Sequence, residues 1–395
     1  MSSPTQIDHL PSHSGVAKLH ALTGLRFVAA ALIVIHHSRG AFPFVGKLVG
    51  ELPLDMGVSF FFVLSGFILA HVYPGFEETG SVWRFFHARF ARIWPAHLFT
   101  FLIAAVLLAP TSKHGTQPIP LSVTLANIAM LHAIVPKTGF FFSYNAVSWS
   151  ISTEFFFYAA FPFLISKFWR TWWWKLGLAL ALLTGLFVIC AVLPIPPAVS
   201  AKPFEINRAG LTYINPAARI LEFFLGIIAC HVWKAWLARR RWAVSTATIF
   251  EVLCTGVCVG GFMVLAYRTW LVGLFGENVA NYLRHAGAAP AFALLIMVFA
   301  NQMGYLSRFF GTRLLVLLGE ISFSVYLLHR IFLDCIAQWH VRLTHQGWSD
   351  GLLFAAFWLA VLVASWTVWR CVERPARTFL LQVGRAPRLQ VSRAT

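Results

Sequence analysis

Ten apolar stretches recur along this chain, each close to the ~20 residues that carry an α-helix across a bilayer. They fall at 20–39, 55–73, 93–110, 148–167, 175–194, 216–235, 243–266, 286–306, 314–337 and 351–371. Backbone in hydrocarbon must satisfy its own hydrogen bonds, so the pattern predicts an all-α bundle. Only 11% of the residues are charged and mean hydropathy is +0.72, whereas a soluble globule carries about 25% charged residues. A soluble class is excluded. The formal charge of +17 would suggest nucleic acid in a soluble chain, but here the positive-inside bias accounts for it.

Charge also orients the chain. With the N-terminus inside, cytoplasmic flanks hold nineteen of the 31 Lys and Arg, and outer loops hold nine. Arg26, Arg219 and Arg330 lie within spans. The bias, heaviest at Arg239–Arg241 and in the tail, predicts both termini inside. A cytoplasmic tail at 1–18, a membrane domain at 19–376 and a basic cytoplasmic tail at 377–395 follow. Residues 1–20 are polar and the first apolar stretch ends in HHSRG without a small-residue cleavage site, so it reads as an uncleaved span. The fifteen apolar residues 121–135 contain Asn127 and His132 and read as an interfacial or re-entrant helix, because a further span would turn the basic tail outward. Connections 111–147, 195–215 and 267–285 are long enough to carry function. The six cysteines sit in or beside apolar stretches without CxxC spacing, so neither a structural disulfide nor a metal is expected.

Several polar residues have no place in lipid unless they face a bundle interior. In LTGLRFVAAALIVIHHS, residues 22–38, Arg26 and His37 are eleven apart. On a helix that is about 20° in azimuth and about 16 Å in rise, so they share a face and His36 does not. A snorkelling arginine with interfacial histidines is the structural alternative. Arg89 and Arg92 in FFHARFARIWP share a face and offer two forks to phosphate, or act as topogenic charge before a span. Glu154 lies early in SWSISTEFFFY and needs a partner, for which Arg219 is the candidate. Arg219 and Glu222, spaced i,i+3 in AARILEFFLG, also suit an ion pair tying helices together. LGEISFSVYLLHR brings His329 and Arg330 into a span with Asp334 at its end, and ERPAR at 373–377 closes the last helix as a proline stop with basic flanks. The serines and glycine of GVSFFFVLSGFIL, residues 57–69, suit close helix packing.

Span direction sorts these residues. His37, Glu154, Arg219, Glu222 and His329 are expected in the outer half, and Arg26, Arg89 and Arg92 on the inner side.

These pieces, in this order, resemble the acyltransferase-3 family of integral-membrane O-acyltransferases. The resemblance rests on the Arg26…His37 helix, FFVLSGF at 61–67, the RxxR of Arg89–Arg92, WSISTEFFFY at 149–158, ARILEFFLG at 218–226 and GEISFSVYLLH at 319–329. It covers about 19–376. Many relatives have an acidic residue after GV in the second span where this chain has Ser59, which removes one candidate acid.

The resemblance implies transfer of an acyl group, commonly acetyl, from cytoplasmic acyl-coenzyme A to a carbohydrate or lipid-linked acceptor across a bacterial inner membrane. His37 and Arg26 would be the essential pair, and Arg89 and Arg92 would engage the coenzyme. His37 would be the base or nucleophile, Glu154 would orient it or pair Arg219, and Arg219, Glu222 and His329 would support the site. A competing expectation is an exporter of an anionic solute that uses the same charges as a pathway.

Overall fold

The computed structural model describes residues 18–76, 80–108, 119–197, 202–345 and 349–383, with backbone alone at 337–345. Most of the two expected tails lies outside these residues. The regular structure of the described residues is helical, and an isolated antiparallel bridge joins Lys137 to Ile206.

The main helices are α1 His20–Ser38, α2 Gly57–Val72, α3 Ser81–Leu107, α4 Trp149–Ile165, α5 Phe168–Val192 and α6 Pro216–Val232. They continue with α7 Val244–Ala266, α8 Arg268–Ala286, α9 Ala289–Phe299, α10 Arg313–His345, α11 Asp350–Val368 and α12 Arg374–Val383. Nine helical stretches among the described residues are long and apolar enough to cross a membrane. The difference from ten rests on α4, whose 17 residues reach about 26 Å, a little short of a ~30 Å hydrocarbon core.

Three expected boundaries move. α3 begins at Ser81, so Arg89 and Arg92 lie inside a 27-residue helix and not ahead of one. Phe85 explains the extension: it is buried against Tyr73, Tyr158 and Phe161, which draws the charged turns into the bundle. The expected outer loop 267–285 is helical, bent at Gly276, where φ is +76°. That is a left-handed conformation that glycine adopts without a Cβ clash. Arg268 and Glu277 pair at 2.9 Å across the bend. α5 starts at Phe168, directly after Lys167 turns the chain with φ +46°. Lys175 then folds back, and its Nζ donates to the carbonyls of Leu164 and Ser166 that end α4.

α2 and α6 pack backbone against backbone. A Cβ on Gly66 would strike the Phe223 carbonyl, and one on Gly226 would strike that of Val63. The glycines let the two backbones touch, the packing that lipid-embedded helices favour. Gly319 meets the Thr23 carbonyl in the same way and binds α10 to α1. α1, α2, α6 and α10 are thereby fixed closely enough to hold polar groups in register.

The stretch 121–135 forms a helix of eight residues, Leu121–Ile128, followed by turns. It is too short to cross. Its buried Asn127 accepts from His97 at the backbone carbonyl and donates through Nδ2 to Ser143. Ser152 Oγ donates to Met130, and its oxygen accepts from the Ala133 amide. The segment is stitched into α3 and α4.

Candidate active site

Two polar groups lie at different levels of α1. The first centres on His37. Its Nδ1 is 2.9 Å from Nε2 of His329, and the rings lie within 12° of one plane, as an in-plane hydrogen bond requires. His329 is fully buried on α10, and its Nδ1 faces the Val325 carbonyl at 3.2 Å. A carbonyl only accepts, so His329 carries its proton on Nδ1, and in the neutral ring Nε2 is an acceptor. His37 must then donate from its own Nδ1. The lone pair of a neutral His37 is thus directed to Nε2, while the hydrogen bond of the ring to the described residues runs through Nδ1. The arrangement can act as a base held by a second imidazole and a backbone carbonyl.

His36 faces elsewhere, as the helical spacing predicts. Its ring lies 3.5 Å from Asp55 and against Arg39. Asp55 accepts from His285 Nδ1 at 2.6 Å, and His285 stacks on Tyr213 at 3.9 Å. Asp55 and His285 were not singled out from the sequence. Asp55 sits four residues before Ser59, so a carboxylate stands one turn from the position where the motif lacks one. The only sequence signal was an aspartate at the first residue of an apolar stretch.

The second group gathers around Arg26. It lies in the field of Arg92, Glu373, Glu154 and Tyr158. Glu154 accepts at Oε1 from Ser65 (2.9 Å) and Tyr158 (2.6 Å). This corrects two expectations. Glu154 neither pairs with Arg219 nor touches His37, and it belongs with the basic group and not with the outer one. The reason is local: Glu222, one turn along α6, takes Arg219 in a two-pronged pair, with the second contact at 2.8 Å. Arg219 and Glu222 are both fully buried, and the guanidinium lies over Phe62, Trp149 and Tyr213. The pair lies within α6, and Arg219 reaches another helix through the His285 carbonyl at 3.4 Å. Arg26 also stands apart from His37, by a rise of about 16 Å along α1.

Arg89 and Arg92 join the second group from α3. Arg89 reaches the Tyr73 hydroxyl at 3.4 Å, while its Nε is buried without a partner. Arg26 and Arg92 make no hydrogen bond or ion pair with any described residue. Several guanidiniums held together with unspent donors have the chemistry to bind a polyanion. No three His, Cys, Asp or Glu among the described residues converge on a point where a metal would sit.

A helical membrane bundle that holds an imidazole pair at one level and a cluster of guanidiniums at another has the groups that a membrane transferase of a charged donor would need. Residues 19–370 match the family model described as an acyltransferase domain, and the chain belongs to the acyltransferase-3 family. It is 30% identical over 396 residues to "Acyltransferase MdmB" of Streptomyces mycarofaciens, covering 92% of this chain and 93% of that one. It is 28% identical to "Exopolysaccharide production protein ExoZ" of Rhizobium meliloti (strain 1021), over 84% of this chain and 91% of the relative. "Nodulation protein 10" of Rhizobium leguminosarum bv. viciae is 23% identical over 89% and 91% of the two chains. No solved structure matches. The protein is a multi-pass membrane acyltransferase.

Proposed function

We propose that the protein moves an acetyl group from cytoplasmic acetyl-coenzyme A to a hydroxyl of an extracytoplasmic carbohydrate or its lipid-linked precursor. The observation that carries this reading is the His37–His329 relay, which leaves the lone pair of His37 at Nε2 to act as a base. The exopolysaccharide relative and the acyltransferase relative support the acceptor class and the reaction. A hydroxyl is a poor nucleophile near neutral pH, and a histidine base needs little pKa adjustment to act there. Nε2 takes the hydroxyl proton as the oxygen attacks the thioester carbonyl. The tetrahedral intermediate collapses with loss of the coenzyme thiolate, which takes the proton back from His37. Arg26, Arg89 and Arg92 hold the phosphates, and the extended pantetheine arm covers the rise along α1. Coenzyme A release by purified protein supplied with acetyl-coenzyme A and carbohydrate acceptors tests the reading. Release that does not depend on acceptor, or none at all, would sink it.

We place the chain in a bacterial inner membrane with ten spans, α4 included, and both termini in the cytoplasm. Charge bias is the support. On a background lacking the native cysteines, single cysteines placed near 239–241 or in the tail after 383 should escape labelling from outside. Efficient external labelling of the tail would reverse the orientation.

Arg89→Ala and Arg92→Ala should each weaken acetyl-coenzyme A binding while folded protein remains in the membrane. Charge-assisted bonds to phosphate carry about 1.5–3 kcal/mol each, so a loss of roughly tenfold or more in affinity is expected. Lysine should rescue only in part, because it lacks the bidentate fork. Unchanged affinity in both alanine variants would return the pair to a topogenic role.

A further inference from the structure

The expected end of the chain's last span was a proline stop at ERPAR. In the structure the helix does not stop there. α11 passes through a π-helical turn, Trp369–Glu373, into α12, which packs along α3. The extra residue of the wider turn re-aims the helix so that Arg377 enters the field of Arg92, Arg89, Glu373 and Tyr73. Arg377 Nε is buried and has no hydrogen-bond partner, as is Arg89 Nε. Glu373 is buried and spends one oxygen on Ser324 Oγ at 3.3 Å. It makes no ion pair within 4 Å with any described arginine. Arg26, Arg89, Arg92 and Arg377 therefore outnumber Glu154 and Glu373 by two positive charges, in a half-buried setting where charge is weakly screened.

Arginines left this way repel one another, and burying a donor without an acceptor is unfavourable. Neither fact is explained by helix packing. Both are relieved by a ligand with several phosphate oxygens. We propose that α12 is part of the donor site and that Arg377 binds a phosphate of a nucleotide-type polyphosphate ester, completing a four-arginine receptor with Arg26, Arg89 and Arg92. The acyl-coenzyme A reading supplies the identity of that ester, while the receptor itself stands on the arginines. Such a ligand carries a diphosphate and a separate 3′-phosphate, and a receptor built from three helices can meet both.

The test is equilibrium binding to the full-length purified protein in nanodiscs of neutral lipid, with coenzyme A, dephospho-coenzyme A and inorganic pyrophosphate as probes. Arg377→Gln should weaken coenzyme A by roughly tenfold or more, as expected for loss of a charge-assisted phosphate contact. Arg374→Gln is the control, since Arg374 is exposed and stacks on Trp369 at 4.9 Å; it should leave affinity unchanged. If Arg377 meets the 3′-phosphate, the loss should vanish with dephospho-coenzyme A. If it meets the diphosphate, the loss should persist with that probe and with pyrophosphate. Wild-type protein that binds pyrophosphate but not coenzyme A would leave the receptor standing and remove the donor assignment. Affinity for all three probes unchanged in Arg377→Gln would overturn the proposal. So would displacement of coenzyme A by phosphatidylglycerol added to the nanodiscs, which would identify a lipid headgroup as the occupant.

Discussion

His37→Ala is expected to abolish most transfer while the protein still binds acetyl-coenzyme A. Positioned general-base catalysis contributes about 10²–10⁴-fold, and the alanine removes the group that holds the proton. The structure adds a second, less obvious variant. His329 never needs to touch substrate, yet its Nε2 is the acceptor that fixes the tautomer of His37. His329→Ala should lower the rate by about 10–100-fold, with kcat falling and donor affinity unchanged, as for an orienting partner behind a histidine. His36→Ala should be much milder, because His36 is turned toward Asp55 and Arg39. Rates of coenzyme A release for the three variants, beside coenzyme binding, check the whole set. Near-normal turnover in His37→Ala with loss in His36→Ala would refute the assignment of the base. Capture of radiolabelled acetyl on His37 without acceptor would replace direct transfer by a covalent route.

The second large effect concerns stability. Arg219→Ala leaves the Glu222 carboxylate buried and unpaired among aromatic rings. Breaking a buried pair from one side costs about 3–5 kcal/mol, a large share of the roughly 5–15 kcal/mol that holds a typical protein folded. The variant should lose most of its monodisperse protein on detergent extraction. Replacing both partners, Arg219→Met with Glu222→Leu, removes the stranded charge and should recover most of the folded protein. The recovery falls short of complete because the cation–π contacts to Phe62, Trp149 and Tyr213 are gone. If the double variant were as unstable as the single one, the pair would owe its place to something other than charge balance. If it folded and turned over normally, any catalytic role for Arg219 would be ruled out.

Periodicity along a single helix was readable from residues alone. The shared face of Arg26 and His37, and the divergence of His36, need only 100° per residue. Span direction was nearly as informative, since His37 and His329 were expected at the same end and are in contact. Partnership between helices was not readable. Glu154 looked available to Arg219 because a sequence does not say that Ser65 and Tyr158 are nearer, or that Glu222 has already taken the guanidinium. Asp55 and His285 are 230 residues apart, and nothing local marks them as a pair. Helix ends were lost for a different reason. Charged turns at Arg89–Arg92 and at ERPAR read as solvent flanks in a hydropathy profile, yet both are continuous helix. Phe85 draws in the first, and a π-turn carries the second past its proline.

Arg26 and His37 ride on one unbroken helix, and this gives α1 the character of a gauge. The distance between the charged anchor and the base is set by the backbone of α1 itself, not by loops that flex or by the angle at which helices cross. If the guanidiniums around Arg26 anchor a donor by its phosphates, as proposed, its thioester sits at one fixed height whatever acyl chain it carries. A longer chain would then have to find its room beyond the carbonyl, toward the His37 end of α1, where Asp55, His36 and His285 already stand. Selection of the acyl group would fall to the space around those three residues, and α1 would leave the reacting carbonyl where it is.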